Sequence, residues 1–218
     1  MVLRLKIAWP DRKGSMRHIF ITFSFLIGLM SMLFSFSAEA KNLSEINLKK
    51  NVKEKILKGE IFCESKVSEP TKTEQQLNFN ITGLHPKSCA YALKKLSLYE
   101  NYNQFLDFVK ESKYNSETKE LNFLLSHLLL PFDMRLIFKL DRITKEGDYN
   151  FFFDQGFLKG LTGKIYVSEE NKRCLFHSEV FWRGKDTRIP NKILEMFSQT
   201  LSVHSMTTLF RMSSTLAH

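Results

Sequence analysis

From Glu120 to Trp182 the chain repeats one pattern: apolar residues at every second position, interrupted by short polar turns and never by a helical period. Alternation at period 2 belongs to strands buried on one face. Leu121, Phe123 and Leu125 open the series, with Leu129 continuing it. Met134, Leu136, Phe138 and Leu140 alternate with Asp133, Arg135, Lys139 and Asp141. After the turn at Lys145-Glu146-Gly147-Asp148 come Tyr149, Phe151, Phe153 and Phe157, and then Ile165, Tyr166 and Val167. Glu169-Glu170-Asn171-Lys172 turns the chain into a last strand, Cys174 to Trp182. Strands joined by turns this short must be antiparallel, because a parallel pair needs a long crossover. The absence of βαβ alternation removes doubly wound folds.

Upstream, Ile61 to Val67 and Leu77, Phe79 and Ile81 also alternate, giving one or two further strands. His85-Pro86-Lys87-Ser88 breaks the pattern, and Ser88 stands where a helix N-cap belongs. Ala90 to Lys95 begins a helix. Tyr99, Tyr102, Phe105, Leu106, Phe108 and Val109 form a second helical face, with both helices ending near Tyr114-Asn115. Pro190, at a position a helix's first turn tolerates, introduces a long terminal helix to Met212. Ile193, Met196, Phe197, Leu201 and Val203 gather on one half of it. Lys192, Glu195, Ser198, Gln199, Ser202 and Ser205 take the other half. Thr200, His204, Thr207 and Arg211 form a polar line down the apolar half. Either their side chains bond back to the helix and fray into water, or they line a cavity; the second reading requires that they point into a void.

Residues 1–40 read as a secretory signal. Arg17 and His18 precede the apolar run Ile19 to Phe36, and Ser37-Ala38-Glu39-Ala40 supplies a small-residue cleavage site. Met16 is an alternative start, and an uncleaved membrane anchor is the alternative fate of the same run. Export, to the periplasm of a Gram-negative bacterium, is the expected location. Residues 41–59 form a Lys-rich lead-in, helix or linker, 60–213 the domain, and 214–218 a tail. The chain carries a net +9. The leader holds five Lys/Arg and two Asp/Glu, which leaves +6 on the remainder. So modest a surplus fits a transient encounter with an anionic membrane surface. No dense basic block or nucleic-acid motif is present, which argues against a nucleic-acid partner.

Cys63, Cys89 and Cys174 allow one disulfide and an odd thiol, or three buried thiols. Their spacing contains no C-x-x-C, so no metal site is indicated, and no cofactor is called for. Serine-hydrolase, P-loop, zinc-protease and Rossmann fingerprints are all missing, and no residue is assigned a catalytic role.

The element order and local wording resemble the START-like superfamily (helix-grip, polyketide cyclase or pollen-allergen type, also called SRPBCC). The resemblance rests on Tyr102-x-x-Phe105-x-x-Phe108-Val109, Leu130-Pro131-Phe132-Asp133-Met134, Gly156-Phe157-Leu158-Lys159-Gly160-Leu161-Thr162-Gly163 and Trp182-x-Gly184 before the terminal helix. It implies an α+β helix-grip fold: a curved antiparallel sheet wrapped around a long C-terminal helix, with two short helices after the first strand. It also implies a cavity between sheet and helix that holds a hydrophobic small molecule or lipid. The residues expected to line it are Phe138, Phe151, Phe153, Trp182, Phe197, Thr200, His204 and Thr207. Alternatives are a cyclase- or hydrolase-like enzyme with His204 as acid or base, and a cell-envelope interaction module. Spacing alone places neither His127 nor His177 beside His204. The family's strand order puts the first strand beside the last, which would let Cys63 approach Cys174.

Overall fold

The alternation from Glu120 onward becomes a continuous antiparallel ladder in the computed structural model, which describes residues 41–126 and 132–215. Before it come α1 (Lys50–Leu57), β1 (Phe62–Thr71), β2 (Glu74–His85), α2 (Cys89–Leu96) and a 3-10 helix (Tyr99–Gln104). The ladder consists of β3 (Val109–Asn115), β4 (Glu120–Leu125), β5 (Met134–Leu140), β6 (Gly147–Gly156), β7 (Thr162–Glu170) and β8 (Arg173–Lys185). α3 (Asn191–Thr215) ends the described chain. The signal reading at 1–40, the start at Met16, and the wording at Leu129, Leu130 and Pro131 lie outside the described residues, as does His127.

The strands form one sheet in the order β1-β2-β8-β7-β6-β5-β4-β3, every described pairing being antiparallel. Turn chemistry sets the register. Asn171 and Lys172 both adopt positive φ (52° and 62°) between Glu170 and Arg173, a mirror-image two-residue turn whose twist matches that of the flanking strands. The fold is α+β with α3 laid across one face of the sheet. Two strands, rather than one, precede the pair of short helices, and the second of the pair is 3-10. Val109 to Asn115, taken above as the end of a helix, is instead a strand against β4, with Tyr114 opposite Leu121. The aromatic spacing that imitates a helix comes from the 3-10 turn and the run leading into this strand.

α3 needs a close approach to the sheet, and Gly83 permits it: a side chain there would overlap Met206 Sδ and press on the Phe210 ring. Part of the opposite face of the sheet is also covered. Leu43, Ile46 and Ile56 pack on Leu84 of β2 and Leu175 of β8, with Ile56 fully buried. Residues 41–57 are therefore a strap with a small core of its own. Lys41 ties it to the sheet by an ion pair with Glu179 (2.8 Å) while its ammonium sits over the Tyr166 ring. Among the described residues no helix is long and apolar enough to cross a membrane.

The disulfide is Cys89–Cys174, joining α2 to β8, and Cys63 is free. The Cys63–Cys174 approach fails because β2, not β1, is the strand beside β8. Cys174 sits opposite His85 at the end of β2, four residues before Cys89.

Candidate functional site

The space between the sheet and α3 is lined almost wholly by apolar side chains. It consists of two adjoining lobes of about 390 and 320 Å³. Phe79, Tyr102, Phe123, Phe151, Phe153 and Leu209 border both. The alternation of β4, β5 and β6 builds the aromatic wall. Phe138 and Phe153 stack at 4.7 Å between ring centroids, and Phe123 meets Phe138 edge-on at 5.8 Å. Gly163 lies opposite Phe151 in the β6–β7 register and leaves room for its ring, which a Cβ at that position would overlap.

Few polar groups reach this space. Tyr102 gives its hydroxyl proton to Leu96 O (2.6 Å), and burial holds its phenol far above the usual tyrosine range. Ser205 donates to Leu201 O (2.5 Å) within its own helix. No Asp, Glu, Lys or Arg lines either lobe among the described residues. A site like this can hold an apolar body by shape and aromatic contact, but offers no ion pair to a charged one.

Four of the residues expected at the site are here. Phe138 borders the larger lobe, Phe151 and Phe153 border both, and Phe197 borders the smaller. Trp182 is buried in the core outside both linings, with its indole N–H donating to Lys159 O (3.0 Å). Thr200, His204 and Thr207 are misplaced by the sequence reading. They are exposed on the outer side of α3 and line a separate groove beside β1 and α1. The nearest charged partner of His204 is Asp107, 3.7 Å away.

The reason lies in the serines. Leu194, Ser198, Leu201, Ser202, Ser205 and Leu209 face the cavity, while Ile193 and Met196 are 45% and 56% exposed. Ser198 and Ser205 return their hydroxyl protons to carbonyls four residues back, so each enters an apolar stripe as a small, satisfied side chain. A hydropathy count scores them as polar and rotates the helix the wrong way. Phe123 and Tyr102 are further wall residues that the site assignment missed, although the alternation of β4 and the helical aromatic run both flagged them.

On the strap side, His177 accepts or donates at Nδ1 with Thr82 Oγ1 (2.8 Å) and meets Glu179 at Nε2 (3.1 Å). The order hydroxyl, imidazole, carboxylate is that of a nucleophilic relay. Here Thr82 is fully buried, so no substrate reaches its oxygen, and the trio serves to satisfy polar groups under the strap. Cys89, Glu146 and Glu169 also converge. The Cys89 sulfur is committed to its disulfide and is not free to act as a thiolate ligand.

No family model and no curated protein matches the sequence. Solved structures do match in fold. A conserved protein from Geobacillus kaustophilus superposes with a TM-score of 0.53 at 13% identity, over 65% of this chain and 97% of that one. A START superfamily protein from Mycobacterium smegmatis gives 0.52 at 12% identity, over 64% of this chain and 99% of its own. With its strand order, its paired short helices and a terminal helix lying across the sheet, the chain has the helix-grip fold of START superfamily proteins.

Proposed function

We propose that the domain binds an uncharged hydrophobic small molecule or lipid between the sheet and α3, and carries it without chemical change. One observation carries this reading. A closely packed core leaves few voids larger than a water molecule, whereas here hundreds of Å³ stay open behind an aromatic wall with no charged side chain. Phe138, Phe151, Phe153 and Phe197 would contact the ligand, with Phe123, Tyr102 and Leu209 completing the enclosure. Catalysis by His204 in this space loses its geometry, since that imidazole lies in the outer groove.

Export belongs to the same proposal. It rests on the leader-like residues 1–40 and is supported by the Cys89–Cys174 bridge, which persists in an oxidising compartment. A transient encounter with an anionic membrane surface, where such a ligand would be collected, rests on the basic surplus.

Protein purified from its own host is denatured in organic solvent and the extract analysed by mass spectrometry. A stoichiometric apolar compound is expected. It should be absent from the Ser205→Trp variant, whose indole enters the space common to both lobes, while circular dichroism stays native. A wild-type extract empty of any such compound, together with no uptake of a fluorescent fatty-acid or naphthalene-type apolar probe, would refute the reading.

A further inference from the structure

Outside the cavity lies a second concavity, the outer groove of about 670 Å³, where Thr200, Val203, His204 and Thr207 of α3 face Ile61, Phe62 and Cys63. β1 is an edge strand, paired only with β2. Part of its free edge is capped by α3: Glu195 accepts the Val67 N–H (2.9 Å) and Gln199 donates to Ser65 O (3.5 Å). In an antiparallel ladder, residues alternate between bonding the neighbour and pointing away from it. Val67 and Ser65 point away, so by the same alternation Cys63, the next such residue of β1, turns its N–H and C=O away from β2 and toward the groove.

An unpaired edge is a template for another strand, and a helix standing beside it shapes a slot for extended peptide. From Gln199 to Thr207 the helical wall runs about 12 Å at 1.5 Å per residue. That length matches about four residues of strand at 3.3 Å each. At the end of the groove stands α1, where Lys50, Lys53 and Lys55, flanked by Lys49 and Lys58, outnumber Glu54 and the following Glu60. Lys55 and Glu60 both line the groove, their pairing stretched to 3.9 Å and both side chains mostly exposed, so the basic surplus comes from the rest of α1 and its flanks. We infer that this groove takes an extended, acidic peptide segment as a ninth strand beside β1, its carboxylates meeting α1. The polar line on α3 then supplies side-chain hydrogen bonds to a partner of mixed polarity.

The test is selection from a random-peptide phage library on the intact protein, followed by fluorescence anisotropy with the selected peptides. Enrichment of acidic sequences of strand-forming residues is expected. Val203→Trp, which fills the groove, should weaken binding at least tenfold. Lys55→Glu should weaken it severalfold at low salt and less at high salt. Because a tryptophan could disturb folding, a wild-type readout stands beside the variants: bound peptide should slow iodoacetamide labelling of Cys63. Absence of acidic enrichment, binding indifferent to both variants, or unchanged Cys63 labelling overturns the proposal. So does a concentration-dependent dimer that Val203→Trp abolishes, which would assign the groove to a second copy.

Discussion

His85 and His177 are both buried and both held neutral. The Lys87 N–H points at His85 Nδ1 (3.1 Å), which leaves the ring proton on Nε2 facing Ser213 Oγ (3.0 Å). Desolvation lowers the affinity of each ring for a second proton; at His177 Glu179 pulls the other way without reversing the shift. A base whose folded pKa lies below its unfolded value takes up its proton preferentially in the unfolded chain, so folding stability rises with pH across that interval. The interval lies below the ordinary histidine value of about 6.5. The melting temperature should therefore drop between pH 7 and pH 5 in buffers of equal ionic strength. The His85→Gln variant should show a shallower drop; an identical slope would remove His85 from the account.

At the level of elements, the Cys89–Cys174 bridge pins α2 to the end of β8 across 85 residues of chain. Replacing both cysteines by Ala should cost about 2–5 kcal/mol in urea unfolding. Alkylation of the denatured protein should label one thiol without reductant and three with it; a different count would contradict the pairing. Gly83→Val should lower the melting temperature by pushing Met206 and Phe210, and with them α3, off the sheet. The sheet was legible because strand alternation is strict: Phe138, Phe151 and Phe153 share a face in the sequence and border the same space in the fold. The orientation of α3 was not. Its stripe is decided by serines that bond their own helix, information that hydropathy does not contain. The disulfide was hidden for a different reason. One extra edge strand, β1, displaced Cys63 by a full strand from β8, and no local pattern distinguishes an edge strand from its neighbour.

On the scale of the whole molecule, α3 lies on one face of the sheet and the strap of residues 41–57 covers part of the other, at Leu84 of β2 and Leu175 of β8. The floor of the strap is separate from the cavity, since Leu84 and Leu175 line neither lobe. Leu175→Ala should therefore destabilise by about 2–5 kcal/mol while protein that remains folded retains its apolar ligand; loss of ligand at native circular dichroism would show the two faces to be coupled. The strand order has another consequence. β2 lies beside β8, with Leu77 opposite Trp182, so the first hairpin made by the ribosome finds its neighbour only when the chain is nearly finished. Until then that hairpin offers two open edges to whatever surrounds it, and the strap has only half of its floor. Long-range pairings of this kind slow folding. Synthesis of this protein thus contains an interval in which closure of the sheet competes with pairing of those open edges to other chains.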